Sequence, residues 1–160
     1  MKISRFILAA AVLCVLAAAA VPPPKFAGTW KLNNGKSTPD GPADRVYVTD
    51  IKQDPAGITV STKATPAPPQ PPLDGRFPIK EKPTVTTQGG HYHSQRVFFE
   101  GATLVFEIVD RDGSEKKPLN TKVIRESWVI SSADGKTMTR FRRTAAAGSV
   151  VDQKYVFERQ

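Results

Sequence analysis

Apolar and polar residues alternate in short runs along most of this chain, and pairs that contain glycine separate the runs. A period of two sends successive side chains to opposite faces of a strand, and the 3.6-residue period of a helix is almost absent. The first run is Ala27 to Leu32, ended by Asn33-Asn34-Gly35. Lys36 to Ala43 holds Pro39, Asp40-Gly41 and Pro42 and reads as a loop. Arg45 to Gln53 predicts a strand, with Val46 and Val48 on one face and Tyr47, Thr49 and Ile51 on the other. Asp54-Pro55-Ala56-Gly57 turns the chain back into Ile58 to Lys63. Phe77 to Glu81 and Thr84 to Thr87 are strand candidates. Gln88-Gly89-Gly90 leads into His91-Tyr92-His93. Gln95 to Phe99 and Ala102 to Val109, which includes Phe106, form a hairpin about Glu100-Gly101. Asp110-Arg111-Asp112-Gly113 opens a polar connection that runs to Asn120. Lys122 to Ile130 is a long strand, and Ser132-Ala133-Asp134-Gly135 is a hairpin turn, because Asp-Gly supplies the positive φ angles of a tight reversal. Lys136 to Thr144 pairs back, Ala145 to Gly148 turns, and Val150 to Arg159 closes the chain.

Eight to ten short strands with hairpin turns and no helix predict an all-β chain. The expected architecture is a single antiparallel up-and-down β-barrel, with a β-sandwich as the alternative. Pro66 to Pro72 places five prolines in seven residues, which no sheet interior accepts because each removes a ladder donor. The chain between Gly28 and Lys63 is too short to bury a core alone. The proline-rich loop, 64–73, therefore reads as an insertion within one domain.

The first 20 residues read as a secretory signal peptide. Lys2 and Arg5 supply its positive region, Phe6 to Leu16 its apolar region, and Ala17 to Ala20 the small residues before cleavage. The apolar run to Val21 is 16 residues, short of the ~20 that span a membrane. A proline-rich leader, 21–25, and a domain over 26–160 follow. The only cysteine, Cys14, lies in the signal peptide, so the mature chain has no disulfide, thiol nucleophile or thiolate metal site. Removing Lys2 and Arg5 from 23 basic residues leaves 21 against 15 acidic ones, a net charge of +6. The charges are dispersed except at Arg140, Arg142 and Arg143, which suits a solvated surface.

Phe26-Ala27-Gly28-Thr29-Trp30-Lys31-Leu32 resembles the opening strand of the calycins, the lipocalin and fatty-acid-binding-protein group. Tyr155-Val156-Phe157-Glu158-Arg159 resembles the closing strand of the intracellular lipid-binding members. The Gly-Thr-Trp-Lys-Leu-Asn start, the Ser132 to Thr137 hairpin and the ending together resemble small exported bacterial lipocalin-like proteins. The resemblance implies a barrel with Trp30 packed near its closed end. The group's helical lid has no counterpart, since Asn33 to Asp44 is too short and too rich in Gly and Pro. Its Arg-x-Tyr carboxylate pair is also missing, with Tyr155 and Phe157 at the matching positions. The lipocalins' Thr-Asp-Tyr motif and C-terminal helix are absent as well.

Trp30 and Trp128 are the largest apolar side chains and read first as core. By alternation Trp128 shares a face with Glu126, Ile124 and Ile130. If that face points inward, Glu126 is a buried carboxylate that needs a partner, and Arg143, on the face of Phe141, is the candidate. Arg140 and Arg142 then face away from Phe141, as an outer charged face. The ligand-binding candidates are Trp30, Phe106, Glu126, Trp128, Arg143, Tyr155 and Phe157. His91 and His93 point the same way on a strand, but two ligands without a third make no zinc site. No catalytic or phosphate-binding motif is present, no nucleic-acid platform is formed, and no cofactor is expected.

The expectation is an exported, periplasmic or extracellular, non-enzymatic protein that binds a small hydrophobic ligand in a barrel, without stable membrane insertion. The alternatives are a structural or interaction protein of the cell envelope with a filled core, and a weak hydrolase or metal-dependent enzyme.

Overall fold

The computed structural model describes residues 22–38, 46–66, 73–114 and 117–160. The expected signal peptide and most of the proline-rich loop lie outside the described residues. Ten antiparallel strands are present and, among the described residues, no helix. They are β1 (Gly28–Thr38), β2 (Val46–Asp54), β3 (Gly57–Thr65), β4 (Gly75–Pro78), β5 (Thr84–Gln88), β6 (His91–Glu100), β7 (Thr103–Ser114), β8 (Lys117–Ile130), β9 (Thr137–Ala146) and β10 (Ser149–Arg159). All lie in one sheet, in the order β4-β3-β2-β1-β10-β9-β8-β7-β6-β5.

This is the expected up-and-down arrangement, and one sheet rules out the sandwich. The sheet rolls so that its two halves share a core. Phe77 of β4 lies edge-on to Phe106 of β7, with ring centroids 5.5 Å apart. The roll is not sealed, because β4 and β5 remain edge strands. Among the described residues the seam is crossed by a parallel bridge between Ile79 and Val97, with Lys80 N–H donating to the Val97 carbonyl at 2.8 Å.

Alternation fills one end of the roll. Trp30, Ile58, Val60, Leu104, Trp128 and Met138 are fully buried there. Each large apolar side chain removed from water contributes roughly 1.5–3 kcal/mol, so this half holds the fold. The chain enters across the filled end. Phe26 is completely buried beneath it, 6.4 Å from both the Phe99 and Trp128 rings. Gln53 braces the entry by accepting from the Phe26 backbone N–H at 2.7 Å and donating to the Pro24 carbonyl.

The Gly-x-Trp pair has a physical reason at this end. Trp30 Nε1 donates to the Phe26 carbonyl at 2.8 Å, and the Arg159 guanidinium lies 4.3 Å from the Trp30 ring centroid. Arg159 also donates to the carbonyls of Ala27, Gly135 and Lys25. It thereby ties the chain entry, the β8–β9 turn and the last strand together. A Cβ at position 28 would stand 2.6 Å from Arg159 Nη1, and Gly28 has φ +140. Glycine therefore makes room for the arginine and adopts the backbone that presents Trp30 to it.

Two loop expectations are corrected. β1 does not end at Asn33 but continues through an irregularity to Thr38, which pairs with Lys154. Side chains take over where the backbone ladder breaks. Asn33 Oδ1 accepts from Lys36 N–H, while Ser37 Oγ donates to the Asn33 carbonyl and accepts from Val156 N–H. The described residues of the polar stretch from Asp110 to Asn120 are strand and not loop. They extend β7 and β8, with His91 opposite Asp112 and His93 opposite Asp110 on the neighbouring strand.

Replacing Gly28 by alanine is expected to cost about 1–3 kcal/mol, from the clash with Arg159 and the strained φ. Urea unfolding of Gly28→Ala measures this, and unchanged stability contradicts the latch.

Candidate functional site

The register of three hairpin-linked strands builds the interior site. Trp128 on β8 faces Arg140 on β9, which faces Tyr155 on β10. One step along, Glu126 faces Arg142, which faces Gln153. These positions lie on the inner face, and Phe141 between the two arginines points outward, 49% exposed. The expected outer placement of Arg140 and Arg142 is thus reversed.

Glu126 is a buried carboxylate, only 4% exposed, but its partner is Arg140 and not Arg143. Arg140 Nε and Trp128 Nε1 both donate to Glu126 Oε1 at 2.7 Å, and an Arg140 Nη closes on the same oxygen. The guanidinium also stacks 4.3 Å over Trp128 and 5.0 Å over Phe157. Charge, hydrogen bonds and aromatic faces together compensate the desolvation of both ions. Arg143 is corrected to the outer wall, where it is mostly exposed and lies 3.7 Å from Asp152. Arg140 and Arg143 are three positions apart, and an odd offset puts two residues on opposite faces of a strand.

Beyond this pair the lining changes. Among the described residues, Arg142 Nε, like Arg111 Nε, is buried without a hydrogen-bond partner. Tyr155 beside it is half-buried, and burial pushes its hydroxyl pKa above the ordinary range, partly offset by Arg142 and Arg140. Tyr155 is therefore a neutral donor at physiological pH. Inward positions farther along, including Tyr47, Thr62, Gln95, Ile108 and Gln153, are only partly buried. One end of the interior is thus packed solid, while toward the other end the inward side chains are more polar and only partly buried.

The remaining candidates fall on either side of this boundary. Trp30 spends its indole N–H and ring on the latch and marks the filled end. Phe106 and Trp128 pack at 4.7 Å, and with Phe157 they form the floor below Arg140. His91 and His93 stand at the other end, paired with acids. His91 Nδ1 is 3.0 Å from Asp112 Oδ1, and His93 Nδ1 is 2.6 Å from Asp110 Oδ1. The His91 contact holds the Asp112 carboxyl below its ordinary pKa, with Asn120 adding to the effect. Among the described residues no group of three or more His, Cys, Asp or Glu side chains is placed to hold a metal ion.

No protein family matches this chain, and no curated protein is similar to it in sequence. Solved structures are similar in fold. A secretory abundant heat soluble protein from Ramazzottius varieornatus superposes with a TM-score of 0.50 at 10% identity, covering 84% of this chain and 95% of that one. A mutant of the fluorescent protein UnaG gives a TM-score of 0.49 at 18% identity, covering 84% and 96%. Together with the ten-stranded meander, the likeness to the heat soluble protein shows a calycin-like all-β fold.

Replacing Glu126 by leucine alone is expected to cost about 3–5 kcal/mol, because Arg140 is left charged and uncompensated. Pairing it with Arg140→Met should recover most of that loss. A double-mutant cycle by urea unfolding checks this, and additive losses contradict the buried pair.

Proposed function

We propose that this protein is an exported, non-enzymatic binding protein that takes a small, mainly apolar molecule into the unfilled half of its barrel. The ligand's polar end lies against Arg142 and Tyr155. The observation that carries this reading is the buried Arg142 Nε–H without an acceptor among the described residues, set in a wall of half-buried side chains. A buried donor left unpaired costs roughly 1–3 kcal/mol, and an acidic or strongly accepting ligand group relieves that cost. Arg140 cannot serve the same purpose, because Glu126 already neutralises it. Tyr155, held neutral, adds a hydroxyl donor beside the guanidinium. Ile108 and Ile124 on the same inner face offer apolar surface to the rest of the molecule. Export rests on the signal-like first 20 residues and implies a periplasmic or extracellular site of action.

A second reading, an envelope protein with a filled core, is favoured by the solid packing around Trp30 and Trp128. Native mass spectrometry and displacement of a fluorescent fatty-acid probe from the mature protein separate the two. A one-to-one complex with a long-chain carboxylic acid is expected. Arg142→Leu should weaken it about tenfold or more, while barely changing the matched alcohol. An empty protein, or equal losses for acid and alcohol, overturns the assignment.

A further inference from the structure

We infer that the tip of the β9–β10 hairpin docks the protein, shallowly and reversibly, on an anionic lipid bilayer. The inference does not depend on the interior ligand. From Thr144 to Val151 the hairpin carries eight residues without a charge, Thr-Ala-Ala-Ala-Gly-Ser-Val-Val. Val150 and Val151 are 53% and 51% exposed, and Val123 joins them because the register runs from Val123 through Ala145 to Val150. An exposed apolar group at a loop end of a soluble domain invites a non-aqueous neighbour.

The turn itself gives a second, independent observation. Ala147 has φ 48 and is followed by Gly148 at φ 79. Asparagine, aspartate or glycine normally takes the first position of such a turn, because a side chain with a Cβ is strained there and a polar one repays the strain by local hydrogen bonding. Alanine keeps the strain and keeps the tip apolar. A hairpin turn serving only to reverse the chain in water has no use for that combination.

The surrounding charge selects the kind of surface. Lys122 lies opposite Ala146, and Arg143 and Lys154 stand behind the tip, all exposed on the strands. The acids facing them are Asp152, 3.7 Å from Arg143, and Asp110, opposite Lys122. Val151 is three residues from Gly148, about 10 Å along a strand, which is the depth interfacial elements reach. At that depth Lys122 and Arg143 meet the lipid phosphates, where cations are favoured. Arg143 and Lys154 also line an outer cleft of about 320 Å³ with Asp152, the exposed Phe141 ring and Arg125, which is paired with Glu100 and Glu107. The hairpin tip lies at the end of the sheet that carries His91 and His93, opposite the filled end, so docking leaves the more polar, partly buried end of the interior facing the bilayer.

The test is flotation of the mature chain with vesicles of equal parts phosphatidylcholine and phosphatidylglycerol, and with phosphatidylcholine alone. Binding to the anionic vesicles, weakened by salt, is expected. Val150→Asp with Val151→Asp should reduce it about tenfold or more. Val150→Ser with Val151→Ser serves as a milder pair should the aspartates disturb folding. Replacing Lys122, Arg143 and Lys154 by glutamine should remove the preference for anionic vesicles. No binding, equal binding by the valine variants, or equal affinity for neutral vesicles overturns the inference. So does a concentration-dependent dimer, lost in the valine variants, in place of vesicle binding.

Discussion

The ladder between the first and last strands is the constraint on which this structure depends. β1 to β4 form one run of hairpins and β5 to β10 another, and the β1–β10 ladder is what makes them one sheet. Arg159 secures it by reaching from the end of β10 to the carbonyls of Lys25, Ala27 and Gly135 and to the face of Trp30. Glu158 reinforces the outer side, accepting from Asn33 Nδ2 and Lys36 Nζ, and these partners hold its carboxyl pKa below the ordinary range. Long-range closure of this kind is entropically costly to form and must be over-determined at its ends. The glycine at position 28 is part of that requirement.

Once the sheet is rolled, period-two alternation decides what the interior contains. At the latched end it delivers Trp30, Leu104, Trp128 and Met138, and the core is fully buried. Toward the other end the same alternation delivers Arg140, Arg142, Tyr155 and Gln153, and then the His–Asp pairs. The Glu126–Arg140 pair sits at the junction and closes the apolar core with a satisfied polar layer. Arg142 is the first cation past that layer, and its Nε has no acceptor among the described residues. The function proposed for the interior is motivated by this gradient along the barrel.

Much of the fold was legible because alternation and turn residues agreed. The Tyr47, Thr49, Ile51 face and the Asp134-Gly135 turn both have the expected form. The extension of β1 was hidden because it depends on Ser37 and Val156, 119 residues apart. The Asp110 to Asn120 stretch looked like a loop because residues such as Asp110, Asp112 and Asn120 are polar, and polarity at a barrel end carries no periodic apolar signal. The site failed on a single register. Arg143 is the candidate partner in the sequence because it shares a face with the aromatic Phe141. The Ser132 to Gly135 turn instead sets Ile130 opposite Met138 and so brings Arg140 to Trp128. Counting back from the turn was the available signal, but the turn's length fixes the register only to one residue, and one residue exchanges Arg142 for Arg143.

The most direct test of the central claim is the side-chain Nε–Hε resonance of Arg142 in the isotope-labelled mature protein, followed as a long-chain carboxylic acid is added. The account predicts a large downfield shift and slowed exchange at this one arginine, with the Arg140 resonance changing little because Glu126 already holds it. An unchanged Arg142 resonance, or shifts confined to the outer wall around Arg143, would contradict it.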